Sequence, residues 1–228
     1  MRQAFDGVWA DWEHGPWRLI GFATHPVQNR DAGHFDDSSS GHVTLDGLRL
    51  ERQGVGAGDV SGYLLRYRRD DARFLDANGA ERRNIADLRY NGKRARVDYD
   101  VEGMLQHGHV GAQQVSSWAL GSIVGVSYPQ TTWTPRLGLQ FDMASGDRHG
   151  GDGRLGTFNP LFANGYYFAL AGLTGYSNLA YAQLRTDWMV APNLTASLEA
   201  LHFAVGDSLR TAGGRDANYL GIELKFGW

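Results

Sequence analysis

The chain has 228 residues, 31 of them glycine and none cysteine, with 42% hydrophobic and 12% aromatic residues and a formal net charge of −3. A balance so close to neutral provides no field for nucleic acid, and the lack of cysteine excludes disulfides, iron–sulfur clusters and thiolate zinc sites. The longest apolar run, Trp118 to Val126, holds two glycines and falls far short of the roughly 20 residues of a membrane helix, so many short strands joined by glycine-rich turns are expected.

The opening Met1-Arg2-Gln3-Ala4-Phe5-Asp6 has no apolar signal-peptide core. Two strands are predicted at roughly 2–13 and 17–24 around the turn His14-Gly15-Pro16, followed by strands at 42–52 and 62–69. In the latter, Arg66 and Arg68 alternate with Tyr63, Leu65 and Tyr67, which predicts inward arginines behind an apolar outer wall. A strand at 82–90 carries Arg89 on the same logic, and Asn91-Gly92-Lys93 reads as a tight hairpin turn.

The next predicted strand, 94–105, alternates most clearly. Ala95, Val97, Tyr99, Val101 and Leu105 form one face, and Arg94, Arg96, Asp98, Asp100 and Glu102 the other. The pattern recurs at 115–127, at 136–144 with Arg136 and Asp142 among the polar set, and at 178–190 with Arg185 and Asp187. It closes with 194–205 and 218–228, where Leu220, Ile222, Leu224, Phe226 and Trp228 oppose Glu223 and Lys225. The count is about eleven strands, several of them as long as a tilted strand needs to cross a bilayer.

Alternation alone fits a soluble sandwich as well, and the connections separate the two. Those after odd-numbered strands are mostly short, with 53–61 an intermediate exception, whereas 25–41, 70–81, 106–114, 145–177 and 206–217 read as long loops. Short turns on one rim and long loops on the other mark outer-membrane barrels. Trp12, Trp17, Tyr90, Tyr128, Trp133, Trp188 and Trp228 fall beside the short turns, as an aromatic girdle does, with Trp118 near the opposite rim. An amphipathic last strand ending on an aromatic residue resembles the signal read by barrel-assembly machinery. If that strand ends in the periplasm, an odd count puts Met1 on the extracellular rim, with a strand and a signal peptide missing upstream. The whole of 1–228 is then one outer-membrane domain, part of a larger barrel.

Arg2-Gln3-Ala4-Phe5-Asp6-Gly7, Phe35-Asp36-Asp37-Ser38, Pro135 to Asp142 with Ser145-Gly146-Asp147, and Gly156-Thr157-Phe158-Asn159-Pro160-Leu161-Phe162 followed by Asn178-Leu179 resemble the alginate-export family. The resemblance covers nearly the whole chain and corresponds to the later part of a family member. It implies an all-β, antiparallel up-and-down transmembrane barrel in the outer membrane, with an arginine-lined pore for anionic polysaccharide.

Passage through a pore needs weak charged sites rather than a nucleophile. The candidate pore-lining residues are Arg66, Arg68, Arg89, Arg94, Arg96, Arg136, Arg185 and Lys225, whose forks suit sugar carboxylates. Asp98, Asp100, Glu102, Asp142, Asp187 and Glu223 oppose them, so a mixed-charge lumen competes with a basic track. Ala144 to Gly153 has the glycine and aspartate of a calcium loop but no known spacing, and reads first as a flexible outer loop. Phe158 to Tyr176 is aromatic enough to fold into the pore, stack on sugars or meet lipopolysaccharide. His107 and His109 lack a third metal ligand, and no Gly-x-Ser-x-Gly elbow is present.

The reading is a channel of the outer membrane, not an enzyme, with no cofactor. Its partners are outer-membrane lipid and lipopolysaccharide, the barrel-assembly machinery, and a polysaccharide or small anionic solute. A soluble carbohydrate-binding β-domain and a membrane-embedded barrel enzyme acting on lipid are the alternatives.

Overall fold

The computed structural model describes residues 4–28, 37–74, 77–161, 177–206 and 215–227. In chain order the strands are β1 (Phe5–His14), β2 (Trp17–Gln28), β3 (Ser38–Ser39), β4 (Val43–Val55), β5 (Gly58–Arg73), β6 (Asn78–Arg94) and β7 (Val97–Val110). They continue with β8 (Gln113–Ser127), β9 (Arg136–Ala144), β10 (Arg154–Leu155), β11 (Leu179–Ala191), β12 (Leu194–Val205) and β13 (Ala217–Phe226). All belong to one sheet. Eleven form a single antiparallel path in sequence order, while the two-residue β3 lies beside β2 and β10 runs parallel to β8. The path ends at β1 and β13, which do not pair with each other among the described residues, so the sheet is an unclosed barrel wall. Among those residues no helix is long and apolar enough to cross a membrane, which bears on helices alone.

The eleven expected strands are present, but their ends differ. The stretches 70–81 and 106–114, read as loops, are largely strand: β5 runs to Arg73, β6 starts at Asn78, and β7 and β8 are joined by Gly111-Ala112 alone. The first carries charge on both faces (Arg69-Asp70-Asp71, Glu81-Arg82-Arg83) and the second, Gln106 to Gln114, is polar and interrupted by glycine, so no apolar alternation marks either. The intermediate connection 53–61 is likewise a two-residue turn, Gly56-Ala57, between β4 and β5. Long connections remain after β2, β9 and β12.

Nor does the chain turn at Asn91-Gly92. It reverses at Ala95-Arg96, where Ala95 takes a φ of 55°. Gly92 serves a different purpose: a Cβ there would come within 2.6 Å of the Gly58 Cα and 2.9 Å of the Tyr99 hydroxyl. The glycine lets β5 and β6 approach and a tyrosine ring cover the gap, a device known from edge-glycine rescue.

Period-2 geometry divides the sheet into two faces. Following the registered pairs across the strands, one rung reads Leu48, Leu64, Ala86, Leu105, Trp118, and another Val124, Leu139, Leu184. Their large side chains are exposed: Leu64 by 66%, Leu139 by 61% and Ile222, further round, by 78%. The opposite face holds Arg89, Asp98, Asp100, Glu102, Arg136, Asp187 and Glu199, all of them half-buried. The polar face is the more sheltered one, an inversion of the water-soluble rule.

Tyr128 and Trp118 bound the apolar band on β8. Ten residues separate them, about 25 Å at the usual rise and barrel tilt, which is the height of a lipid-facing band. Tyr90 and Tyr99 stand further into the band, Tyr99 in register with Val124, their hydroxyls 3.2 Å apart and Tyr90 donating to the Val55 carbonyl at 3.0 Å. Trp12, Trp17 and Trp133 are exposed on that side as well.

A candidate pore wall and the strap across it

The sheltered face carries a lattice of ion pairs that runs across six strands. Arg89 on β6 grips Asp100 on β7 with both prongs of its fork, Nε lying 2.7 Å from Oδ1. Arg136 on β9 reaches past β8 to Asp98 on β7 in the same bidentate way, with Nε 3.1 Å from Oδ1. That reach depends on Gly125, the β8 residue between them: a Cβ there would lie 2.6 Å from the Arg136 Nε, inside the guanidinium. Gly138, next to it on β9, leaves the same groove open on the other side.

Arg185 on β11 is the hub of the second half. It meets Asp187 at 2.8 Å, Glu199 of β12 at 3.0 Å and Glu223 of β13 at 3.0 Å, and donates to the Ser197 hydroxyl at 2.9 Å. Lys225 joins Glu223 at 3.2 Å. Four of the eight expected pore residues, Arg89, Arg136, Arg185 and Lys225, therefore stand on this face, each already matched to carboxylates.

The other four do not. Registered pairing puts Arg66 and Arg68 on the apolar face, in the column of Leu64, and Arg94 there too, opposite Val97. Arg96 sits in the β6–β7 turn with its guanidinium over the Tyr128 ring, 6.0 Å from the centroid. The inward reading of Arg66 and Arg68 is corrected: Tyr63, Leu65 and Tyr67 are the sheltered set, and Tyr63 and Leu65 line a cavity that a returning piece of chain covers from the inside. His107 and His109 are also on a strand, β7, facing outward rather than on a loop.

That piece of chain is the first part of the long connection after β9. From Ser145 it folds back over the sheltered face, pairs through β10 with Gln114 and Val115, and lays Thr157 to Leu161 against β5–β8. Phe158 is buried against Ala119 and Ala144, with Met104 beside it. Of the Phe158–Tyr176 segment expected to enter the pore, residues 158–161 do lie on this face, and 162–176 are outside the described residues. So are Met1, whose place on a rim is expected from the strand count, and Trp228.

The strap is held by a buried polar cluster that the expected boundaries divide, with Glu81 and Gln106 placed in loops and Arg83 just inside the strand expected at 82–90. Glu81 and Arg83 are both fully buried on β6. Arg83 Nε donates to Glu81 Oε1, while its Nη1 donates to the Thr157 carbonyl at 3.1 Å and the Gln106 Oε1 at 2.8 Å. Asn159 closes the cluster, its Nδ2 donating to Glu81 at 3.0 Å and its backbone exchanging bonds of 2.7 and 3.0 Å with Gln106. Arg69 stands 3.0 Å from the other Glu81 oxygen, an ion pair whose angle does not make it a hydrogen bond. The Phe74 ring lies 5.2 Å from Arg83 and 5.7 Å from Arg69, offering its π face to both guanidinium groups.

Between strap and sheet lies a cavity of about 370 Å³. Asp87 and Glu102 line it, together with Tyr63, Ile85 and Phe158. Both carboxylate oxygens of Asp87 are buried without a hydrogen-bond partner among the described residues. The calcium-like stretch Ala144–Gly153 spends its acids otherwise: Asp147 is buried and Asp152 accepts the Arg154 amide at 2.8 Å. Among the described residues no three side chains gather that could hold a metal ion.

The wall as a whole carries fixed charges of both signs, with a strap lying across one level of it. A protein-family model described as alginate export matches residues 1–182. Among curated proteins no sequence matches the chain significantly.

Proposed function

Because this chain belongs to the alginate-export family, we propose that it forms wall of an outer-membrane channel through which polysaccharide or a small anionic solute passes without chemical change. The observation that carries the reading is the inverted sheet, with leucines and isoleucine exposed on one face and ion pairs sheltered on the other. In water so large an apolar face would be an aggregation surface, whereas in a bilayer it is the solvated one. A soluble carbohydrate-binding domain leaves that face unexplained, and a lipid-acting enzyme would need reactive groups on it. The outward row Leu220, Ile222, Leu224 and Phe226 on β13 is the signal offered to barrel-assembly machinery.

Arg89, Arg136, Arg185 and Lys225 are the proposed contacts for the solute. All are in ion pairs, so a sugar carboxylate binds only by exchanging with a resident one. Such sites are weak and repeated, which suits transit better than retention. The lining is therefore a mixed-charge wall rather than a bare basic track, with Asp87 and Glu102 adding negative charge at the level of the strap.

Conductance across planar bilayers tests the proposal. The full chain, refolded in detergent, is expected to give discrete channels, and Arg185→Ala should shift their ion preference toward cations, because Asp187, Glu199 and Glu223 lose their shared counter-charge. Folding without conductance would contradict a channel, and unchanged selectivity would take this wall out of the lumen.

A further inference from the structure

The apolar face ends abruptly. Immediately above the rung of Leu64, Ala86, Leu105 and Trp118, the next two rungs on the same outward side are polar and basic. One reads Arg66, Asn84, His107, and the other Arg68, Arg82, His109. Arg68 and Arg82 are direct cross-strand partners. Like charges so placed repel and weaken the pairing. Among the described residues neither they nor Arg66 is engaged in an ion pair, and all three are exposed. Asp46, opposite Arg66, is the one acid paired in register with this set. The arginines of the sheltered face, by contrast, are all matched to carboxylates.

We propose that Arg66, Arg68 and Arg82 form a docking site for the phosphate groups of a phosphorylated lipid in the leaflet that meets the Trp118 rim. Position selects the lipid. The side chains stand on the lipid-facing side, one and two rungs beyond the last apolar one, about 7 Å per pair of residues along the strand. That is headgroup depth, next to an interfacial tryptophan that is 41% exposed. Chemistry selects the phosphate: guanidinium forks bind it bidentately, and an anion seated between Arg68 and Arg82 turns a repulsive pair into a bridged one. A transported polysaccharide would meet the other face. The site rests on the membrane reading above, but its residues are separate from the proposed pore lining.

The full chain in neutral phosphatidylcholine vesicles, titrated with bisphosphorylated lipid A and with lipid A stripped of both phosphates, tests this. The phosphorylated lipid should bind the wild type more tightly, and Arg68→Gln with Arg82→Gln should weaken that binding roughly thirtyfold, at about fivefold per arginine at a membrane surface. Arg68→Lys with Arg82→Lys, which keeps the charge and loses the fork, should fall between. Arg52→Gln, outward at the opposite rim with its guanidinium over Trp17, should change nothing. Equal affinity for the two lipids, or no loss in the glutamine variant while it stays embedded, overturns the site and leaves the channel standing. A chain that does not enter the vesicles at all overturns both.

Discussion

The two faces of this sheet treat arginine in opposite ways. On the sheltered face each guanidinium is committed: Arg185 alone holds three carboxylates, and Arg83 is buried with Glu81 and the strap backbone. On the outward face Arg66, Arg68 and Arg82 make no ion pair among the described residues, although Asp46 faces Arg66 across the strands. Inside, charge is structural, because a half-buried ion must be paired to be tolerated. Outside, it is confined to the rungs beyond the apolar band, where lipid headgroups and water can complete it. What lies against each face therefore decides the pairing, more than the residue type does.

The largest expected break is at the buried cluster. Arg83→Ala removes the partner of a fully buried Glu81 and the anchor of Thr157, and should cost about 3 kcal/mol, since one charge of a buried pair is left behind. Replacing both ions together (Arg83→Met with Glu81→Gln) should recover most of that in equilibrium urea unfolding. If the single substitution costs nothing, the strap is not held where the structure puts it.

Next comes the lipid face. Leu139→Arg lies midway between the Trp118 and Tyr128 levels and should destabilise the chain folded in vesicles by about 2–4 kcal/mol, the usual cost at a bilayer midplane. In an aqueous protein the same change at a 61% exposed leucine would fall within about 0.5 kcal/mol. The sign of the two-face comparison thus hangs on one substitution.

A smaller effect sharpens the inner lattice. Gly125→Val fills the groove that the Arg136 side chain crosses to reach Asp98, and about 1–2 kcal/mol is expected from the lost pair and the displaced side chain. In a double-mutant cycle Gly125→Val and Arg136→Ala should be non-additive, since the first already disables the second. Additive costs would mean that the glycine matters for the backbone alone.

The sequence made the strands legible wherever one face was apolar. Val97 to Leu105 shows this, because lipid on one side and charge on the other impose a strict period of two. The same rule failed where both faces are polar: 70–81 and 106–114 looked like loops, although β5 to β8 simply continue beyond the apolar band. The phase of Arg66 and Arg68 was misread because Tyr63, Leu65 and Tyr67 look like a lipid-facing row. They belong instead to the sheltered face, where Tyr63 and Leu65 line the cavity beneath the strap. Glu81 falls in the same blind spot, while Arg83 lies just inside the strand expected at 82–90. Their signal was opposite charge two residues apart, on one face of a strand, but it is readable only once 78–94 is known to be a strand. The Gly156 to Leu161 stretch, noticed as a family resemblance, turns out to hold the strap residues that Arg83, Gln106 and Glu81 grip.

Spin-label accessibility along β7 tests the inverted sheet most directly, and the absence of native cysteine allows single labels without background. With labels placed singly from Val97 to Gln106 in the chain reconstituted in vesicles, oxygen collisions should peak at 97, 99, 101 and 105. Collisions with a water-soluble nickel complex should peak at 98, 100 and 102. The opposite phase, or a pattern without alternation that is the same with and without lipid, would contradict a sheet that turns its apolar face to the membrane.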